Sequence, residues 1–267
     1  MKSISSTSIN RLRYDVVGDI AIIKNVPHET RLDLAQSILK NRKNLNVVLA
    51  KSSPVSGSFR LFRLEFVAGE KRTTTVHREN SCLFLIDLSV AHFSPRLVHE
   101  RRLIAESVSH AEYVLNMFGG VGTFSIEISK RIAAKVYSVD INPEATRLCL
   151  INVLLNRIRG RVTAVLADAA QATEILFLCR MSRVLLPLPL KSRAYLSTAV
   201  SALKGEGIIH YYDFIQAGKG ESPAERILAT MRPFIDLYGL AFGKVRIVKS
   251  IAPRRYLVSL ELRKSSL

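Results

Sequence analysis

From about Leu103 onward the sequence alternates short apolar runs with amphipathic stretches, and this alternation limits the fold more than any other feature. Residues 113–117, 135–139, 162–166, 183–186 and 207–212 are short and rich in Val, Ile, Leu and Tyr, which predicts strands. Between them, residues 125–132, 143–156, 195–203 and 223–237 carry apolar residues at helical spacing. Pro143 suits a first helical turn, and Gly205 is expected to stop the third of these helices. Regular strand–helix alternation requires a parallel sheet with helices on both faces, because parallel neighbours can be joined only by a crossover. Residues 244–249 and 256–263, joined by a short Pro-containing connection, predict a closing hairpin that adds an antiparallel strand. The first third reads as a small α/β module. Residues 14–24 suggest two strands around the Gly18-Asp19 turn, and residues 31–42 suggest a helix. Residues 46–51, 60–67, 73–77 and 83–88 read as extended. The expected division is a small domain over residues 1–88 and a larger α/β domain over 89–267, with the change of texture falling between 88 and 105.

The most informative local segment is VLNMFGGVGTFSIEIS, residues 114–129. It predicts a strand, a glycine turn and a helix. Gly119, Gly120 and Gly122 let the backbone turn tightly and approach a ligand closely. The helix that follows aims its N-terminus into the crevice, where a carboxylate is well placed. S-adenosylmethionine carries one. Asp140 follows Gly122 by 18 residues, at the end of the next expected strand, where an acidic side chain suits a ribose diol. Asp168, with the Ala169 backbone, lies just past the third strand and suits an adenine amino edge. Phe118 and Ile141 beside these groups, and Pro187 after the fourth strand, complete the expected cofactor set. The competing reading makes Asp140 and Asp168 simple helix caps. The spacing is neither GxGxxG nor GxxxxGK[ST], which weakens dinucleotide and P-loop assignments.

Charge narrows the partner. Lys and Arg number 39 against 22 Asp and Glu, a net charge of +17, which favours a polyanion such as nucleic acid. Basic residues cluster at 40–43, 96–102, 157–161, 191–193 and 254–255, and these are expected to line a surface track for phosphates. Cys82, Cys149 and Cys179 are far apart, lack CxxC spacing and sit among apolar neighbours, so buried free thiols in a reducing cytoplasm are expected. The His residues show no metal-binding spacing, so no metal is expected. No apolar run is long enough to span a bilayer, and the Ser-rich, basic N-terminus through Tyr14 reads as a flexible lead-in rather than a secretory signal. No membrane partner is expected, and the chain is expected to be a monomer.

The run from Gly69 to Glu106, which contains FSPRLVHER, then NMFGGVGTFSIEISK, YSVDINPEA and GIIHYYDF, resembles the archaeal and eukaryotic tRNA (guanine-37-N1)-methyltransferases. The aminocarboxypropyl transferases of wyosine synthesis are near relatives. The resemblance spans residues 11–262, and FSPRL-xx-ER is its most specific part. It implies a Rossmann-like class I S-adenosylmethionine-dependent methyltransferase domain preceded by a small α/β domain, acting on a tRNA anticodon stem-loop. Longer members carry an extra N-terminal tRNA-binding domain, for which this sequence is expected to leave no room. By position, Glu100 matches the family's general base, Arg60 an arginine near the base carbonyl, and Arg96 and Arg101 basic residues of the same element. Guanine N1 carries a proton and is a poor nucleophile until a nearby carboxylate takes it. Negative charge then builds on O6, where a fixed guanidinium stabilises it. Two departures stand out. Asn116 replaces an Asp before the glycine turn, and Pro187-Leu188-Pro189 replaces Asn-Leu-Pro, removing a side chain that in relatives contacts the target base. The alternatives are aminocarboxypropyl transfer and a non-enzymatic RNA-binding scaffold. Residue by residue, Glu100 could instead pair with Arg96 or Arg101, Arg60 could be a solvated strand residue, and His92 could stack on the target or simply pack.

Overall fold

The structure is a computed structural model that describes residues 14–54 and 56–265. The lead-in expected at the N-terminus lies, through Arg13, outside the described residues. The chain divides into two compact units, residues 1–98 and 99–267.

In the first unit, β1 (Asp15–Val17) and β2 (Ile20–Ile23) pair antiparallel, β3 (Val47–Lys51) runs parallel to β2, and β4 (Leu64–Gly69) closes the sheet antiparallel. The parallel β2–β3 step needs a crossover, and α1 (His28–Asn41) supplies it. Its Leu34, Ala35 and Ile38 join Ala21, Ile23, Val48 and Ala50 in one core. A separate hairpin joins β5 (Thr74–Glu79) to β6 (Cys82–Asp87) through Asn80 and Ser81, with φ of 45° and 62°. A two-residue hairpin turn of this hand matches the twist of its strands. Residues 60–67 do not run as one extended stretch. Ser56 bridges Leu61 across a turn in which Gly57 and Arg60 take φ of 72° and 56°, and β4 starts only at Leu64. The Gly57-Ser58 turn chemistry overrides the apolar alternation that follows it.

The second unit is a seven-stranded sheet. Its strands are β7 (Tyr113–Asn116), β8 (Lys135–Asp140), β9 (Val162–Leu166), β10 (Met181–Leu186), β11 (Leu203–Gln216), β12 (Leu240–Ala252) and β13 (Arg255–Lys264). They lie in the order β12-β13-β11-β10-β7-β8-β9. β11, β10, β7, β8 and β9 are parallel, while β13 is antiparallel to both its neighbours. The helices are α2 (Val98–Ser107), α3 (Thr123–Arg131), α4 (Pro143–Leu155), α5 (Ala169–Ala172, continuing as a π turn to Phe177), α6 (Leu196–Ala202) and α7 (Pro223–Tyr238). Leu115, Val184, Leu186, Ile209 and Leu260 of the sheet are fully buried, in one core with Ala199 of α6 and Ile227 and Met231 of α7. The chain winds outward from β7 to β9, then crosses to β10 on the other side of β7. That reversal opens a crevice at the carboxyl ends of β7 and β10, where α/β sheets bind ligands.

Two expectations are corrected here. Gly205 does not end α6 but lies within β11. The helix stops at Leu203, which turns extended (φ −69°, ψ 135°) and pairs with Met181 as a fully buried strand residue. Cys82 and Cys149 are buried, but Cys179 is exposed, at φ 53° in the turn before β10.

A buried arginine ties β10 and β11 to the segment before β7. Arg183 donates to Glu112 through Nε (2.7 Å), to the Ser107 carbonyl (2.9 Å) and to His210 Nε2 (2.6 Å). Arginine can only donate, so His210 must accept at Nε2 and stay neutral. Burial and the positive charge of Arg183 push its pKa well below the ordinary 6.5. The unfolded chain binds a proton near that pH that the folded chain refuses, so stability present above pH 6.5 falls by about 1.4 kcal/mol per unit below it. Urea midpoints should therefore drop between pH 7.5 and 5.5. His210→Gln keeps an acceptor for Arg183 and should remove much of that slope; equal slopes for the two proteins would show that His210 is not its source.

Candidate active site

The site begins where β7 runs out. Asn116 is the last residue of the strand and is fully buried. The chain then turns back on itself, with Gly119 N–H donating to Val139 O (2.7 Å) and Gly122 N–H to Gly119 O (2.9 Å). Gly120 and Gly122 hold φ of 54° and 89°, which side chains rarely tolerate. A Cβ on Gly119 would lie 2.2 Å from Ser138 Oγ, and one on Gly122 would lie 2.6 Å from Cys149 Sγ. A Cβ on Gly120 would meet nothing within 4 Å, so that backbone faces open space. Gly122 is the N-cap of α3 and offers no side chain to its first-turn N–H groups, which favours an anion there.

Asp140 ends β8. Its two oxygens accept from Gly120 N–H (2.7 Å) and Asn142 N–H (2.9 Å). Burial raises its pKa against the pull of these bonds. It does not cap α4; Asn142 does, accepting from Glu144 N–H and Ala145 N–H. Ile141 beside it is 52% exposed, a large apolar face left in solvent. Asp168 does cap α5, accepting from Ala170 N–H (2.8 Å), and its second oxygen accepts from the Tyr195 hydroxyl (2.9 Å). The Tyr195 ring meets Phe118 edge-on at 5.0 Å. Ala169 is buried at the start of α5. Pro187 leaves β10 in a loop tied down by Ser192 Oγ, which donates to Leu186 O (2.8 Å) and Leu188 O (3.0 Å). Phe118, Gly119, Gly120, Gly122, Asp140, Ile141, Asp168, Ala169 and Pro187 thus all lie at or just past the carboxyl ends of four neighbouring parallel strands.

Two observations test whether an adenosyl amino acid suits this place. The open backbone at Gly120 leaves room for it. Asn116 donates to Ser125 Oγ (3.1 Å), but its Oδ1 is buried with no partner among the described residues, an acceptor suited to an amino group. The residues present fit the group.

Glu100 lies in the first turn of α2 but not on the surface; it is 3% exposed. Its Oε1 accepts from the Tyr212 hydroxyl (2.8 Å) and from Arg246 Nη2 (2.7 Å). Neither Arg96 nor Arg101 is its partner. Arg101, also buried, lies 3.4 Å from Glu127 and so leaves the expected surface track, because burying its charge requires a carboxylate. In the N-terminal unit, Arg96 gives Nε and Nη2 to Asp15 (2.9 and 2.7 Å), and Lys24 binds the other Asp15 oxygen. Burial opposes it, but these two cations hold the Asp15 carboxyl below its ordinary value. Arg60 sits in the turn before β4, half-buried, and burial lowers its pKa. His92 is exposed, with its ring edge-on to Phe62 at 6.2 Å. Lys40, Arg42, Lys43, Arg157, Arg159, Arg161, Lys191, Arg193, Arg254 and Arg255 are exposed. Among the described residues no helix is long and apolar enough to cross a membrane, and no His, Cys, Asp or Glu group is arranged to hold a metal.

Sequence reasoning missed Tyr195, Tyr212 and Arg246. For Tyr212 the available signal was weak: a tyrosine in a buried strand needs a partner for its hydroxyl, but nothing in the sequence says which.

Comparison with known proteins gives a consistent result. Residues 75–234 match the TRM5/TYW2 methyltransferase domain, and residues 2–73 match the TYW2 N-terminal domain. The tRNA (guanine(37)-N(1))-methyltransferase Trm5b of Pyrococcus abyssi is 33% identical over 258 residues, covering 94% of this chain and 74% of that protein. The tRNA 4-demethylwyosine(37)-methyltransferase Taw21 of Saccharolobus solfataricus is 34% identical over 256 residues, covering 94% and 93%. The solved complex of aTrm5 and tRNALeu superposes with a TM-score of 0.83 at 32% identity, covering 95% of this chain and 72% of that one.

The glycine turn makes a stability prediction. Gly122→Ala combines a left-handed φ with a clash against Cys149 and Ile126, whereas Gly160→Ala has a similar φ but open space. The first should cost about 2–5 kcal/mol in urea unfolding and the second about 1–2 kcal/mol. Equal losses would mean that the packing around Gly122 is slack.

Proposed function

The chain belongs to the TRM5/TYW2 methyltransferase family, and on that premise we propose that it methylates N1 of guanosine 37 in tRNA, using S-adenosylmethionine. The observation that carries the proposal is the convergence of the glycine turn, Asp140, Asp168 and Pro187 at the carboxyl ends of adjacent parallel strands. The cofactor supplies an electrophilic methyl group on a sulfonium. The N-terminus of α3 would hold its carboxylate, Asp140 its ribose hydroxyls, and Ile141 and the Asp168–Ala169 start of α5 its adenine. Each Asp140 oxygen already accepts one N–H and keeps a second lone pair for such bonds.

Glu100 takes the proton from guanine N1, which frees the ring nitrogen as a nucleophile. Arg60, and the part of Arg96 not engaged by Asp15, stabilise the negative charge that builds on O6. The N-terminal unit positions the tRNA, and the exposed arginines and lysines bind its phosphates. A monomer acting in the cytoplasm belongs to the same proposal; unpaired thiols suit a reducing compartment.

A second reading has a specific observation behind it. Pro187 has neither a side-chain amide nor an N–H to offer a guanine edge, and the Taw21 relative matches this chain over nearly its whole length. The same site would then methylate a tricyclic wyosine precursor. Incubation with methyl-labelled cofactor and either unmodified or 4-demethylwyosine-bearing tRNA, followed by nucleoside mass analysis, separates the two. N1-methylguanosine from unmodified tRNA supports the first. Label confined to the tricyclic base supports the second, and transfer of the carboxyl-labelled portion alone would mean aminocarboxypropyl transfer.

Glu100→Gln should lower the single-turnover rate by roughly 10²-fold or more while leaving cofactor affinity unchanged. Asp140→Ala should do the reverse, weakening cofactor binding about 10- to 100-fold by calorimetry. An Asp140→Ala protein with native affinity would remove the ribose assignment.

A further inference from the structure

The Glu100 carboxylate is held unevenly. Both of its hydrogen bonds, from Tyr212 and Arg246, land on Oε1. Oε2 has no partner among the described residues. An arginine that serves only to neutralise a buried carboxylate usually takes both oxygens in a fork. Here Arg246 gives one Nη2 to Glu100, shares it with Ser259 Oγ at 3.3 Å, and leaves its own Nε buried without a partner among the described residues. Stability alone does not favour that arrangement, because an unmet buried donor is costly. Tyr212 is 3% exposed, and burial together with the Glu100 charge keeps its phenol protonated. It can therefore only donate to Oε1 and cannot take a proton away.

We infer that Tyr212 and Arg246 are positioning residues for the methyl-transfer reaction: by binding Oε1 they fix the plane of the Glu100 carboxylate so that Oε2 alone is presented to the proton of the target base. This rests on the reading of Glu100 as the base. The proton passes from the ring nitrogen to Oε2 and its electron pair stays on the nitrogen. Tyr212 keeps its own proton and continues to donate to Oε1, now the carbonyl oxygen of a neutral acid. The acid returns the proton to water after the product leaves. The other charged or titratable groups around the triad are few. Arg101 on α2 faces Glu127, His210 on β11 is held neutral, and Glu261 on β13 acts on Arg246.

The test is the pH dependence of the single-turnover rate at saturating tRNA and S-adenosylmethionine, for wild type, Tyr212→Phe, Arg246→Met, Arg246→Lys and Glu100→Gln. Removing a donor or a cation beside a carboxylate raises its affinity for protons. Tyr212→Phe should move the acid limb to higher pH by about half a unit and Arg246→Met by about one unit or more. Both should lower the rate at least fivefold near neutral pH with tRNA KM and cofactor Kd unchanged. Arg246→Lys should restore the limb, and it decides the matter if Arg246→Met does not fold. Variants that lose rate equally at every pH, with the limb unmoved, overturn the inference. If Glu100→Gln itself keeps the wild-type limb, the assignment of the base fails instead, which is a separate result.

Discussion

The hydrogen bond from Gly120 N–H to the Asp140 carboxylate is the contact that holds together the geometry of the C-terminal unit's crevice. It joins the end of β7 to the end of β8, and it forms only because Gly120 and Gly122 adopt left-handed backbone. Any side chain at Gly119 or Gly122 meets Ser138 or Cys149. The turn therefore sets where α3 begins and which way its unsatisfied N–H groups point. It also fixes one Asp140 oxygen. The remaining pieces, Asp168 held by Tyr195 and Pro187 held by the Ser192 loop, are placed by the adjacent strands rather than by one another.

Much of this was legible because it is local. A glycine turn between an apolar strand and a helix, then an aspartate at the end of the next strand, can be read at short range in sequence. The parallel sheet followed from the alternation, since parallel neighbours need crossovers, but the order of its strands did not. What was not legible depends on distant partners. Tyr212 and Arg246 lie 112 and 146 residues from Glu100, and no periodicity announces that they meet. Glu100 itself was singled out only through its place in FSPRLVHER, and the sequence offered Arg96 or Arg101 as partners where packing chose neither. Arg101 was counted as surface charge because its spacing resembles that of exposed neighbours, yet Glu127 draws it inside. Arg60 was read within a strand because apolar alternation follows it, while the turn at Gly57 holds it at a left-handed φ. Cys179 looked like core by its neighbours, but it stands in a turn.

Charge and chemistry divide the labour. The net +17 resides largely on exposed arginines and lysines at helix ends and loops, which suits sequence-independent contact with phosphates. Among the described residues, the buried Arg183 pairs with Glu112 and His210, the buried Arg101 with Glu127, and the buried Glu100 with Arg246. In the loop after β10, Pro187 lacks the hydrogen-bonding capacity that an Asn would bring.

The central claim is that one carboxylate, buried and tethered on a single oxygen, serves the base that is methylated beside the glycine turn. A structure of the protein with S-adenosylhomocysteine and a tRNA anticodon stem-loop tests this most directly. The account predicts Glu100 Oε2 within hydrogen-bond distance of the ring nitrogen at position 37, with Oε1 still bound by Tyr212 and Arg246. A target base seated in the crevice with Glu100 out of its reach would contradict it.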